Sequence, residues 1–109
     1  MQESPGTVIS VPQLVERIEG GSPPLILDVR SPGEYARGHI PGAVNIPHNE
    51  LAARLAELPV EKSTEVIVYC HSGPRAWQAE KMLGERGYSG IQDLSGHWQA
   101  WQAAGLPGE

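Results

Sequence analysis

The sequence contains a single cysteine, Cys70, and this scarcity excludes several kinds of chemistry. One cysteine cannot form a disulfide within the chain, and it leaves no C-x-x-C pair for a dithiol redox mechanism. The four histidines are scattered along the chain at positions 39, 48, 71 and 97. They lack the close spacing of ligands that is typical of a zinc site, so we expect no metal centre.

Basic residues are also scarce: eight lysines and arginines stand against thirteen acidic residues, for a net charge of −5. Proteins that bind phosphate backbones need a basic surface, so this balance argues against nucleic acid as a partner. An anionic substrate must be attracted by local groups against the field of the whole chain. The candidates are the backbone amides after Cys70, together with Arg75 and His71.

Long hydrophobic runs are absent as well. No apolar run approaches the ~20 residues that a membrane span requires, so we expect no membrane partner. Residues 1–6 lack the basic start and apolar centre of a signal peptide, which favours a cytoplasmic protein. We expect residues 1–6 to be a short disordered lead. Residues 7–109 are expected to form one domain, since a chain of 109 residues suffices for a single core.

Short apolar strands alternate with helical patterns along the rest of the chain. Strands are predicted at residues 7–9, 25–29, 43–46, 65–69 and 91–94. Helices are predicted after Ser10, after Ser31, after the loop at Cys70 and from Gly96. A further helix is predicted from Asn49 to Pro59, because Leu51, Leu55 and Leu58 form a one-sided stripe. This alternation predicts an α/β fold, with a parallel sheet covered by helices on both faces.

Cys70 lies where the apolar strand Val66–Tyr69 gives way to a polar turn and then to a helix. A strand, loop and helix N-terminus in this order direct several backbone N–H groups at one point. The helix dipole and Arg75 would favour a thiolate there, so Cys70 is a candidate nucleophile. The alternative is a buried, inert cysteine, because free cysteines are among the most buried residues.

Three motifs, occurring in the expected order, resemble the rhodanese family. The first comprises Leu27-Asp28-Val29-Arg30, Glu34-Tyr35, Gly38-His39-Ile40-Pro41-Gly42-Ala43 and Asn45-Ile46-Pro47; the second is Cys70-x-x-Gly73-x-Arg75; the third is Ala100-Trp101 to Ala104-Gly105-Leu106-Pro107. The resemblance extends from about Ile9 to Pro107. It implies a five-stranded parallel sheet of order 1-5-4-2-3, with the strand before Cys70 at its centre.

The resemblance also implies a thiosulfate sulfurtransferase that needs no metal or organic cofactor. Cys70 would take the sulfane sulfur of a small anionic donor such as thiosulfate and hold it as a persulfide. The acceptor would be cyanide, a cellular thiol or a partner protein. We expect a monomer or weak dimer.

The residues themselves suggest how a persulfide could be held. The N–H groups of His71, Ser72, Gly73 and Arg75 can surround the anion, whereas Pro74 has no N–H to donate. The Arg75 side chain is predicted either to bind the donor's sulfonate end or to brace the loop. His71 is expected to point outward rather than to act as a general base.

A supporting cluster is predicted from Asp28, Arg30 and Glu34, since a carboxylate and a guanidinium at a strand end usually pair. The turn Gly96-His97 departs from the resemblance, because the family usually has two glycines there. His97 is predicted to narrow the pocket or to meet the donor anion; the alternative is an exposed residue at a helix N-terminus.

Two other functions compete with sulfur transfer. A cysteine-dependent phosphatase or arsenate reductase would need a longer loop than the four residues 71–74 to surround a tetrahedral anion. A regulatory binding module is disfavoured by the presence of Cys70 and a complete loop. A relay that passes sulfur from protein to protein remains an open alternative.

Overall fold

The computed structural model describes residues 7–58 and 61–109 of the chain. The predicted disordered lead at residues 1–6 and the predicted helix end at Pro59 lie outside the described residues. The strands are β1 (Thr7–Ile9), β2 (Leu25–Asp28), β3 (Val44–Asn45), β4 (Val66–Tyr69) and β5 (Ile91–Leu94). The helices are α1 (Val11–Glu19), α2 (Pro32–Arg37), α3 (Pro74–Glu85) and α4 (His97–Ala103), with a 3-10 helix at Leu55–Glu57.

The five strands form one parallel sheet in the order β1-β5-β4-β2-β3, as the resemblance implied. The strand β4 lies at the centre, hydrogen-bonded to β2 on one side and to β5 on the other. All strands point the same way, so the residues that follow them gather at one edge of the sheet. That edge carries Cys70, Arg30 and the start of α4.

Apolar side chains of β4 supply both faces of the sheet, because alternate residues of a strand point to opposite sides. Val66 and Val68 pack with Leu83 of α3 in one buried cluster, and Cys70 belongs to the same cluster. The second cluster contains Ile67 and Tyr69 of β4 together with Leu14, Trp98 and Trp101, which come from α1 and α4. The helices therefore cover both faces, as predicted.

Capping boxes begin the first two helices, which confirms the sequence signals. Ser10 and Gln13 bond each other's backbone N–H groups at the start of α1, and Ser31 and Glu34 do the same at the start of α2. Among the described helices, none has the length and apolar character that crossing a bilayer requires.

The predicted helix from Asn49 is wrong. The chain instead makes a series of turns and a single 3-10 turn at Leu55–Glu57. The bonds there span three residues, from Leu58 N–H to the Leu55 carbonyl and from Glu57 N–H to the Arg54 carbonyl. Leu51 and Leu58 are still buried, so the tighter turn satisfies the apolar stripe without an α-helix. The third strand is also shorter than predicted, covering only Val44–Asn45.

Candidate active site

Cys70 follows β4 directly and lies at the centre of the candidate site. Cys70 is only 1% exposed, yet its sulfur is not surrounded by apolar groups alone. The backbone N–H of Gly73 donates a hydrogen bond to Sγ at 3.0 Å. The sulfur thus has a polar contact that can stabilise negative charge, and its role as a nucleophile stays a prediction.

The loop between Cys70 and α3 turns sharply at Gly73. Gly73 has φ 140°, a conformation that L residues rarely adopt, and it forms the N-cap of α3. Its carbonyl accepts the Trp77 N–H at 2.9 Å, so the helix begins immediately beside the sulfur. The first N–H groups of any helix lack partners within the helix, and those of Arg75 and Ala76 occupy this position in α3. Donation by the amides of His71, Ser72 and Arg75 to a second sulfur atom stays a prediction.

Arg75 is held by Glu34 rather than free to meet a ligand. Its two terminal nitrogens donate to the two carboxylate oxygens of Glu34, at 2.6 and 3.0 Å. The pair links α3 to α2, which agrees with the prediction that Arg75 braces the loop. The hydrogen bonds from Arg75, together with those from Ser31, lower the pKa of Glu34 to about 2 despite its partial burial.

Replacing Glu34 by glutamine is expected to flatten the acid dependence of stability. The pKa of Glu34 is lower in the folded chain than the ~4.3 of an unfolded chain, so the ion pair stabilises the fold above pH ~4.3. This contribution is lost as the pH falls towards 2. We expect about 1 kcal/mol, because the Arg75 and Glu34 side chains are 32% and 26% exposed and water screens the pair.

Urea unfolding of the wild type and of Glu34→Gln at several pH values from 2 to 6 measures this contribution. Glutamine keeps an oxygen that can accept the Ser31 N–H in the capping box, so the change removes the charge and one of the two hydrogen bonds from Arg75 but leaves the cap in place. Equal pH slopes for the two proteins would show that the ion pair does not contribute.

Asp28 and Arg30 form the predicted pair, and it is fully buried. The Arg30 side chain binds both carboxylate oxygens, with a shortest distance of 2.7 Å, and it also donates to the Gly38 carbonyl at 2.7 Å. The Arg30 backbone N–H donates to the same carboxylate at 2.9 Å. These contacts fix the turn between β2 and α2, which positions Glu34 against Arg75.

Tyr69 is a further member of this network, and it was not among the predicted site residues. Its hydroxyl donates to Asp28 Oδ2 at 2.7 Å and accepts the Ile40 N–H at 3.1 Å. Burial raises the pKa of Tyr69, so the hydroxyl stays protonated and able to donate. Tyr69 and Asp28 are paired in register as the last residues of neighbouring strands. The predicted strand order and strand ends could therefore have brought the two together.

A cleft of about 270 Å³ opens beside the loop. Trp98 lines it, and the guanidinium carbon of Arg30 lies 4.8 Å from the centroid of the Trp98 ring. His71 points outward as predicted, and its Nε2 lies 3.2 Å from the side-chain amide of Gln99. The residues that line the cleft are Arg30, Glu34, Arg37, Gly38, His71, Trp98 and Gln102.

His97 is the clearest departure from the predictions. It is buried, with only 5% of its surface exposed, so the prediction of an exposed helix residue is wrong. It is also absent from the lining of the cleft, because its Nδ1 accepts the backbone N–H of Cys70 at 3.2 Å and its Nε2 lies 3.5 Å from Asp93 Oδ1. Gly96 makes this placement possible: a side chain there would come within 2.5 Å of the Ala100 Cβ.

Metal binding finds no support in the part of the chain that the structure describes. Within residues 7–58 and 61–109, no three or more histidine, cysteine or acidic side chains are grouped so that they could hold a metal ion.

Comparisons with known proteins agree with this geometry. The family model described as Rhodanese-like domain matches residues 10–104. A protein of Allochromatium vinosum named sulfurtransferase is 37% identical over 94 residues, which cover 86% of each chain. The human thiosulfate:glutathione sulfurtransferase is 33% identical over 105 residues, covering 85% of this chain and 90% of the relative.

A solved structure extends the likeness to three dimensions. The crystal structure of a rhodanese-related protein from Thermoplasma volcanium matches with a TM-score of 0.81 and 31% identity. The match covers 94% of this chain and 97% of the other.

Proposed function

This chain belongs to the rhodanese-like domain family, several of its relatives are named sulfurtransferases, and we propose that it carries sulfur as a persulfide on Cys70. One observation carries the proposal: the Cys70 sulfur accepts a backbone N–H at the start of a helix, directly after the central strand. A hydrogen bond of this kind can stabilise negative charge on sulfur, and the thiolate is the nucleophilic form of cysteine.

Thiosulfate is the proposed donor. The Cys70 thiolate attacks its outer sulfur, a new S–S bond forms, and the bond from that sulfur to the sulfonate group breaks. Sulfite leaves with the electron pair, so the enzyme retains one extra sulfur atom. A donor that presents a single terminal sulfur suits a cysteine residue that is only 1% exposed.

A thiol or cyanide is the proposed acceptor. Its nucleophilic atom attacks the outer sulfur of the persulfide, which releases the Cys70 thiolate and completes the cycle. With cyanide the product is thiocyanate, and with a thiol it is a persulfide of that thiol. Glutathione is the thiol to test first, because the printed name of the human relative includes it.

The local charge supports an anionic donor despite the net charge of −5. Around the loop and the cleft lie the guanidinium groups of Arg30, Arg37 and Arg75, against the carboxylates of Asp28 and Glu34. Asp28 pairs with Arg30 and Glu34 pairs with Arg75, so among these five groups the positive charge of Arg37 is in excess. Arg37 is exposed and lines the cleft, so we propose that it attracts the donor.

Intact-mass measurement after incubation with thiosulfate tests the proposal. We expect the wild type to gain the mass of one sulfur atom and to lose it again after addition of cyanide. Because the chain has one cysteine, protein alkylated with iodoacetamide is a matched control that should gain nothing.

Three outcomes would contradict the proposal in different places. No mass gain with thiosulfate would contradict the donor, and a gain on the alkylated protein would contradict Cys70 as the carrier. A gain that cyanide and glutathione both fail to remove would contradict the acceptor step and favour transfer to a partner protein instead.

A further inference from the structure

The first residues of α4 hold the backbone of Cys70 on both sides. The Cys70 N–H donates to His97 Nδ1 at 3.2 Å, while the Cys70 carbonyl accepts the Trp98 N–H at 3.0 Å. The next amide, that of Gln99, donates to the His71 carbonyl at 3.3 Å. Successive residues of one helix therefore fix the nucleophile and the first residue of its loop.

The Cys70 amide needs such a partner. The ladder between β4 and β5 ends at the pair Val68 and Asp93, two residues before Cys70. A buried N–H without an acceptor is strongly unfavourable, and the imidazole supplies that acceptor. The His97 side chain thus accepts the Cys70 N–H at the point where backbone pairing between β4 and β5 has ended.

The contact specifies one protonation state of the ring. Nδ1 can accept a hydrogen bond only when it carries no proton, so the proton must lie on Nε2, which faces Asp93. Burial lowers the pKa of His97, and the nearby Asp93 carboxylate partly opposes this effect. The titratable residues that the described contacts place against the ring are Asp93, from β5, and Cys70, from the end of β4.

We propose that neutral His97 is a positioning residue for sulfur transfer, which holds Cys70 in place by accepting its backbone N–H. The inference rests on the proposed function and concerns the same site. Doubly protonated His97 would present a hydrogen from Nδ1 to the hydrogen of the Cys70 amide. The hydrogen bond from the Cys70 N–H to His97 would then be lost. The Cys70 sulfur would no longer be held in position to accept the Gly73 N–H.

The backbone conformation of His97 bears on the choice of variants. His97 has φ 56°, which is unusual for any residue other than glycine and which asparagine tolerates better than most. Glycine at this position removes the ring and adopts the positive φ without backbone strain. Asparagine also relieves the backbone, but its side-chain oxygen can take the place of Nδ1 without titrating near neutral pH.

Steady-state kinetics of His97→Gly, His97→Asn and the control His48→Asn test the proposal. We expect His97→Gly to lower kcat and kcat/KM together by about ten- to a hundredfold, as misplacement of a reacting group does. Asparagine should restore most of this loss. The wild-type rate of persulfide formation should fall in acid as the His97 ring becomes protonated, and His97→Asn should lack that component of the pH profile.

Nitrogen NMR of the wild-type ring tests the contact without measuring activity. We expect the Nε2–H form at neutral pH and a Cys70 amide signal that shifts with the same midpoint as the His97 ring. An Nδ1–H form, or an amide signal that does not follow the ring, would overturn the proposal even if a variant failed to fold. Undiminished kcat in a folded His97→Gly would also overturn it.

Failure of the proposed function can be distinguished from failure of the His97 proposal. A wild type that takes no sulfur from thiosulfate contradicts that function, while the NMR experiment still decides whether the neutral ring holds the Cys70 amide.

Discussion

Turnover of thiosulfate by the Cys70→Ser variant is expected to be at least about a thousandfold lower than that of the wild type. Serine offers an alcohol whose anion is scarcely populated at neutral pH, so no efficient nucleophile remains. A second cysteine cannot replace Cys70, because the chain has only one. Sulfite release from thiosulfate, measured in the presence of cyanide, gives the rate directly.

The fold of this variant should survive, so that its inactivity reports on chemistry. The serine oxygen can accept the Gly73 N–H that Sγ accepts in the wild type, and the change of volume in the cluster is small. Thermal unfolding should therefore stay within a few degrees of the wild type. Ser89→Ala lies in the segment before β5, away from the Cys70 loop. This variant, expressed and purified in the same way, should keep wild-type turnover and so controls for effects of protein preparation. Residual turnover near the wild-type level would contradict Cys70 as the nucleophile.

Replacing Arg30 by methionine is expected to have the largest effect on stability, about 3–5 kcal/mol. The change leaves the Asp28 carboxylate buried without its cation and removes the bond to the Gly38 carbonyl. Small domains are stable by only ~5–15 kcal/mol, so a large part of the total is lost. Urea unfolding at pH 7 measures the difference, and thermal unfolding should show a midpoint lower by roughly 15 °C.

Two matched variants separate the buried charge from the rest of the network. Tyr69→Phe removes one hydroxyl that bonds Asp28 and Ile40, and it should cost about 1–3 kcal/mol. Adding Asp28→Asn to Arg30→Met removes the unpaired charge, so the double variant should be more stable than Arg30→Met alone. If the double variant is no more stable, the cost comes from lost packing against Trp98 rather than from the charge.

The sheet and its central strand could be predicted because their signals are local. Buried strands such as β4 are continuous apolar runs, and capping boxes at Ser10 and Ser31 mark where helices begin. The strand order came from the resemblance to a family, since alternation alone does not specify it. The segment around Leu51 and Leu55 was predicted wrongly, because an apolar stripe at helical spacing is also compatible with turns that bury the same side chains.

The parts of the site that could be predicted are contacts between residues close together in the sequence. The bond from Gly73 to Cys70 and the pairing of Asp28 with Arg30 both join residues two or three positions apart. His97 lies 27 positions from Cys70, and its ring reaches the Cys70 amide only because α4 packs onto the end of β4. The role of such a residue depends on tertiary packing, which no spacing in the sequence displays.

The central position of β4 has a consequence for how the protein fails on heating. Strands bonded on both edges exchange their amide hydrogens most slowly and separate only when the whole domain opens, whereas peripheral strands such as β1 and β3 fray earlier. Cys70 is attached to the part of the sheet that opens last. Fraying at the periphery should therefore leave the reactive sulfur in place, and its reactivity should disappear together with the core.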